Sequence, residues 1–432
     1  MQNYSQEDAI VSEQSAIEFG SEFGDLEMDG VLASIKEAGF APVWVIRTGG
    51  TVNIGFGLVH KGVLYFGACD HIFYAVDAEA GKELWRFRTG DVILSKPCIA
   101  GDTIFFGSFD ENLYALDFNG RLKWRFPAKS KISCAIKHAE GRLFFGTEDG
   151  NFFCLSAGGE LLWSFSARDS IVEGAAIGDN IIVFGSWDRN VYALDSNGGM
   201  LWKFSTCAEV NVEPAIDGNV VYVGSADKNL YALELETGRM LWSFMVEGGV
   251  RGVTVLEDVI LLVGYTEQLY AIDKRGKLLW RFRTSGYSVE PPAVSNGVIY
   301  HGCVDSNVYA LDMKGAGLWR FATGSMVVCT PVVWNGKVYF GSFDCNVYCL
   351  DMKGQLIWKF PTSRSDISKI DVEDLRRERR MKFTLKPQEI TMEKDSYKTD
   401  AVHRGDFGQY SAETGYAFSI SKYQKGMGKY GK

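Results

Sequence analysis

The chain holds five histidines, His60, His71, His138, His301 and His403, and nine cysteines, the residue types that most often bind metals or act as nucleophiles. Neither set converges. The histidines show no HxH or HExxH spacing, and the cysteines run from Cys69 to Cys349 without an adjacent pair or a CxxC. No metal site and no catalytic residue is therefore expected. Cys345 and Cys349, four apart on one face of a strand, read as packing residues in a reducing compartment. Asp70, Asp110, Asp149, Asp188, Asp227, Asp305 and Asp344 recur at one place in a repeated turn, and turn geometry accounts for them. The informative charges break the repetition. Aligned just before a recurring proline are Asn53, Lys96, Cys134, Glu173, Glu213, Arg251, Glu290 and Cys329. Of these, Lys96, Glu173, Glu213, Arg251 and Glu290 are the candidate binding residues.

The elements that must position them come from a repeat of about 39 residues. Tryptophan recurs at Trp44, Trp85, Trp124, Trp163, Trp202, Trp242, Trp280, Trp319 and Trp358, and a glycine ends an apolar run at Gly67, Gly107, Gly146, Gly185, Gly224, Gly264, Gly302 and Gly341. Each unit contains an apolar, aromatic-rich strand such as TIFFG (103–107), a polar turn that reads SxDxN in four units, a second strand such as LYALD, and a glycine turn into the tryptophan strand. The segment after it, ending in Pro97, Pro214, Pro292 or Pro331, is expected to supply a fourth strand. Four antiparallel strands repeated eight times predict an all-β fold, an eight-bladed β-propeller. The small residue of the second strand, Ala75, Ala115, Ala193, Ala232, Ala271 or Ala310, with Cys154 and Cys349 in the same slot, is expected to leave room for the indole. In such a ring the five charged candidates lie near the mouth of the central channel. They form a funnel that can receive a peptide or a cationic small molecule, or whose charges can be solvated or paired across the channel.

The pattern Ala75-x-Asp77-(x)3-Gly81-(x)3-Trp85, repeated at Ala232, Gly238 and Trp242, resembles the tryptophan-docking motif of quinoprotein-type, PQQ-like propeller repeats. The resemblance covers residues 41–363. The repeats are also similar to those of the non-catalytic bacterial outer-membrane assembly lipoprotein, a propeller without cofactor. A quinoprotein dehydrogenase of this family implies PQQ beside vicinal cysteines with a calcium ion. This chain has no such cysteine pair, so neither cofactor nor quinone chemistry is expected. The ninth tryptophan suggests that the ends meet, with Trp44 and Trp358 near each other, one in the outermost strand and the other paired beside it or replacing it.

Two extensions flank the propeller, residues 1–40 and 364–432. The first carries nine acids and one base and looks helical only near its end; the second has a net charge of +4. Asp371–Phe383 has the cap and charge order of a helix. Beyond it comes a flexible stretch rich in Tyr, Lys and Gly, in which Tyr416, Tyr423 and Tyr430 are candidate docking residues. With 45 Lys+Arg against 54 Asp+Glu, the net charge of -9 argues against nucleic acid as the main partner. No apolar run approaches a membrane span and the N-terminus has no leader pattern, so the expected location is cytoplasmic. Together these features predict a non-catalytic, monomeric propeller that acts within a complex as a protein- or peptide-binding scaffold. The rivals are a propeller enzyme and a binder of a small molecule, sugar or quinone.

Overall fold

The structure is a computed structural model that describes residues 57–362 and the backbone of Glu18–Phe19 and Met381–Lys382. All of these belong to the first of two compact units, Met1–Glu393 and Lys394–Lys432. Among the described residues, eight four-stranded antiparallel sheets follow one another, and in every sheet the strand order is the chain order. Blade 1 spans Leu58–Arg88, blade 2 Cys98–Pro127, blade 3 Lys137–Ser166 and blade 4 Ala176–Ser205; blade 5 spans Ala215–Met245, blade 6 Val250–Arg283, blade 7 Ala293–Ala322 and blade 8 Val332–Pro361. The protein is an eight-bladed β-propeller.

Burial follows position in the blade. The second and third strands are buried along most of their length, as in Thr103–Gly107, because neighbouring blades cover both faces. Outermost strands such as Lys82–Arg88 alternate exposed and part-buried residues, having a neighbour on one edge alone. In each blade the small residue pairs with the tryptophan as expected, from Ala75 with Trp85 to Cys349 with Trp358. The register then shifts by one, so the residue before the tryptophan is a bulge pushed outward. That is why Leu84, Leu162, Leu201 and Ile357 stay exposed.

The tryptophan also joins blades. Trp85 Nε1 donates to Phe118 O at 2.8 Å, Trp202 to Leu235 O at 2.8 Å and Trp319 to Met352 O at 3.0 Å, each acceptor lying in the next blade. The ring lies over the glycine of that blade's outer turn. At Gly120, where φ is +78°, a Cβ would stand 2.7 Å from Trp85 Cε3. Gly120→Ala therefore combines left-handed strain with displacement of an indole and is expected to cost about 1–3 kcal/mol. Urea denaturation measures it, with Gly101→Ala as the control for strain alone, since that site has open space.

The recurring aspartates are structural. Asp110 accepts hydrogen bonds from Asn112 N–H (3.1 Å), Tyr114 O–H (2.7 Å) and Gly90 N–H of the preceding blade (2.7 Å). Asp188, Asp227, Asp305 and Asp344 repeat the scheme.

Two expectations are corrected. The innermost strands Cys98–Ala100, Ala215–Asp217, Ala293–Ser295 and Val332–Trp334 begin after the proline rather than ending at it. Proline has no N–H to give the ladder and keeps the preceding residue extended, so it marks the approach to the strand. At the seam of the ring Trp358 Nε1 donates to Ala78 O of blade 1 at 3.1 Å, the docking seen elsewhere in the ring. Trp44 lies outside the described residues. Finally, Met381–Lys382, at the end of the expected helix, are extended and pair antiparallel with Glu18–Phe19. Their backbone groups are satisfied across chain segments instead of within a helix. The remainder of that segment, the domain boundary at 41 and the candidates Tyr416, Tyr423 and Tyr430 lie outside the described residues.

Candidate functional site

The segments leading into the innermost strands surround a central chamber of about 390 Å³, to which every blade or its lead-in contributes: Gly57, Lys96, Ser133, Glu173, Glu213, Arg251, Glu290 and Thr330 all line it. The five charged candidates are thus brought together, in two registers rather than one. Ser95, Cys134 and Cys329 stand twelve residues before the glycine that ends the second strand and accept its N–H: Gly107 to Ser95 at 3.0 Å, Gly146 to Cys134 at 3.1 Å, Gly341 to Cys329 at 3.4 Å. Glu173 and Glu290 precede Gly185 and Gly302 by the same step. Lys96, Glu213 and Arg251 stand one position later, two residues before Cys98, Ala215 and Val253, which occupy equivalent ladder positions. Glu173 and Glu290 therefore place a long carboxylate where other blades keep a small buried side chain.

That placement sets their electrostatics. Burial pushes the Glu173 carboxyl up to about 7, the Arg251 charge offsetting part of the rise and Glu213 adding to it. Glu290 is raised well above the usual carboxylate range, first by burial and then by Glu173, against the pull of Arg251 and Lys96. Arg251, 8% exposed, is held by Glu173 Oε1 at 3.3 Å, by Asn211 O, and by the Tyr265 ring 5.9 Å away. Its position depends on the run Gly248-Gly249-Val250-Arg251-Gly252, which forms a bulge in the innermost strand of blade 6. A Cβ at Gly252 would stand 2.5 Å from Pro291 N.

Lys137, in the innermost strand of blade 3, lines the adjoining cleft and pairs with a chamber acid, a role the repeat alignment missed. Its Nζ reaches Glu213 Oε1 in blade 5 at 2.5 Å, crossing blade 4 at Gly174, where a Cβ would stand 2.8 Å from Lys137 Cε. The absence of a side chain at Gly174 among charged equivalents was the available signal. A second cleft of about 450 Å³ adjoins the chamber, lined by His60, Lys96, Lys137 and His138. Among the described residues, Glu290 and Lys96 have no ion-pair partner.

The remaining nucleophile and ligand types are scattered. His301 is buried, bonded through Nε2 to Ser288 Oγ at 2.9 Å, and burial lowers its pKa to about 4. His60 stacks on Phe118, while His403 lies outside the described residues. Burial raises the Cys134 and Cys329 thiols to about 12, which makes them poor nucleophiles. Among the described residues no three His, Cys, Asp or Glu side chains stand together as a metal site.

Fold and site define a propeller whose wall is charged on the inside and tied across the blades. A family model described as outer membrane protein assembly factor BamB matches residues 68–170, 148–251 and 245–381, and the chain belongs to this family of PQQ-like propeller repeats. Solved structures with the same fold are the computationally designed Ika8 protein (TM-score 0.64, 17% identity, 70% of this chain and 97% of that one) and BamB of Moraxella catarrhalis (TM-score 0.56, 21% identity, 62% and 88%). Local sequence matches are to the 1-butanol dehydrogenase (quinone) of Thauera butanivorans, 35% identical over 101 residues, and the quinoprotein alcohol dehydrogenase PedH of Pseudomonas putida, 30% over 118. The first match covers 20% of this chain and 16% of that protein, the second 24% and 19%, so less than a fifth of either relative is matched.

Quinoproteins of this fold raise the question of a quinone with calcium. The side chains here do not fit that pair. Calcium takes about six to eight oxygens, whereas Glu173 and Glu213 are each engaged by a cation from another blade. No two cysteines are adjacent in the sequence.

Proposed function

We propose that this protein is a non-catalytic scaffold that binds a protein or peptide partner, accepting a basic group of that partner in the central chamber. The observation that carries this reading is Glu290, a chamber acid that the neighbouring blades leave without a cation while Glu173 and Glu213 are paired. Membership of an assembly-factor family supports it. The local quinoprotein matches favour a second reading, a propeller enzyme or small-molecule binder using the same funnel.

Glu290→Lys discriminates better than reversal of all three acids, because reversing Glu173 would set a cation against buried Arg251 and damage the fold. Partners recovered by affinity capture from native lysate should fall at least tenfold with Glu290→Lys. The outer-strand control Lys203→Glu should keep them. Identical partner lists for the two variants would remove the chamber as the binding site.

A further inference from the structure

We propose that the central chamber holds a small dipolar ligand, one ammonium group beside one carboxylate, as in a free amino acid or the C-terminal lysine of a peptide. Glu290 would receive the ammonium, and Arg251 Nε with Lys96 the carboxylate. The proposal rests on the reading above in using the same chamber, and it adds the chemistry of the occupant.

The chamber's own pairing carries the argument. Glu173 closes on Arg251 and Glu213 on Lys137, which leaves one acid, Glu290, and one base, Lys96, without an ion-pair partner among the described residues. A ligand of one sign would satisfy one of them and leave the other. A dipolar ligand satisfies both. Arg251 supplies an independent sign of a missing acceptor: its side chain is more than nine-tenths buried in the chamber wall, yet Nε has no hydrogen-bond partner. Ser133 Oγ, also in the wall, is buried without a partner. Buried polar groups are normally paired, and two in one cavity point to an occupant.

Placement and size agree. Arg251 and Glu290 belong to neighbouring segments joined by Thr254 Oγ1 donating to Pro292 O at 2.7 Å, and both line the one chamber. About 390 Å³ is at the small end of ligand sites and suits a molecule of amino-acid size. Burial and the nearby carboxylates Glu173 and Glu213 raise the Glu290 carboxyl against the pull of Arg251 and Lys96, so it holds a proton more tightly than an ordinary glutamate. An arriving ammonium stabilises the carboxylate form, so binding should release a proton to solvent.

Titration calorimetry of the full chain at pH 7, in two buffers of different ionisation heat, tests this. The dipolar probes are glycine, L-lysine and the tetrapeptide Gly-Gly-Ala-Lys. N-acetylglycine and ethylamine each lack one of the two groups. At least one dipolar probe should bind with proton release, and at least tenfold more tightly than either control. Glu290→Gln and Lys96→Gln should each weaken it tenfold or more. Binding of the free amino acids identifies a metabolite source, and binding of the tetrapeptide alone a protein terminus. If none of the dipolar probes binds, if a control binds equally, or if both variants bind as well as the parent, the proposal is wrong. Such a failure with partner capture still sensitive to Glu290→Lys would reject the dipolar ligand and leave the scaffold reading standing.

Discussion

Trp358→Ala is expected to lower the free energy of unfolding by about 3–5 kcal/mol and to open the ring at a single seam. Each blade is built from consecutive strands, and among the described residues no strand is shared between the last blade and the first. Between other blades the chain itself is a tether. At the junction of blades 8 and 1, side chains hold the faces together: Trp358 Nε1 and Tyr339 O–H both donate to Ala78 O, Lys337 pairs with Glu79, and the Phe66 and Phe360 rings meet edge to face at 6.3 Å. The Trp358 indole also lies over Gly81, where a Cβ would stand 2.6 Å from Cδ2. Removing it takes away both the packing and a hydrogen bond. Trp202→Ala makes the same chemical change between blades 4 and 5, where the chain runs on. Limited proteolysis separates the cases: Trp358→Ala should be cut first in blades 1 and 8, Trp202→Ala without that bias. The same digestion pattern for both would mean that closure does not depend on this contact.

Most of the fold was legible because each repeated residue answers a need shared by all blades. The glycine before the turn, the turn aspartate of seven blades, the small residue and the tryptophan each make a recurring contact, and repeated contacts leave a repeated pattern. The chamber was legible in part, since charges that interrupt a repeat stand out. Their partners were not, because an ion pair such as Lys137–Glu213 joins residues 76 apart and Lys137 itself sits in an unremarkable strand position. Register was the other loss. Glu173 and Glu290 differ from Glu213 by one residue, and lead-in segments of uneven length hide a step that decides whether a carboxylate turns inward or along the wall.

Arg251→Met is expected to destabilise the protein by about 3–5 kcal/mol at pH 9 and by far less at pH 5. The sign follows from Glu173. Its carboxyl is raised from the ordinary glutamate value to about 7, first because it is buried, so the native state holds its proton more tightly than the unfolded chain does. Stability from that proton is fully present below the ordinary value and is lost as pH rises through about 7. Arg251 offsets the loss by favouring the ionised form. At pH 5 Glu173 is neutral with or without Arg251, and removing the guanidinium costs its bond to Asn211 O and its packing on Tyr265. At pH 9 the wild type holds a closed ion pair, whereas the variant must bury a lone carboxylate or keep a proton against the solution. Glu290, Glu213 and Lys96 face the same chamber in both proteins, and because Arg251 also pulls on Glu290 the Glu173 pair is isolated by a double variant. Adding Glu173→Leu to Arg251→Met removes the stranded charge, and the double variant should recover most of the stability and lose this pH dependence. Urea denaturation of the four proteins at pH 5, 7 and 9 measures each term. A cost of Arg251→Met that stayed constant across that range would show that Glu173 titrates independently of Arg251.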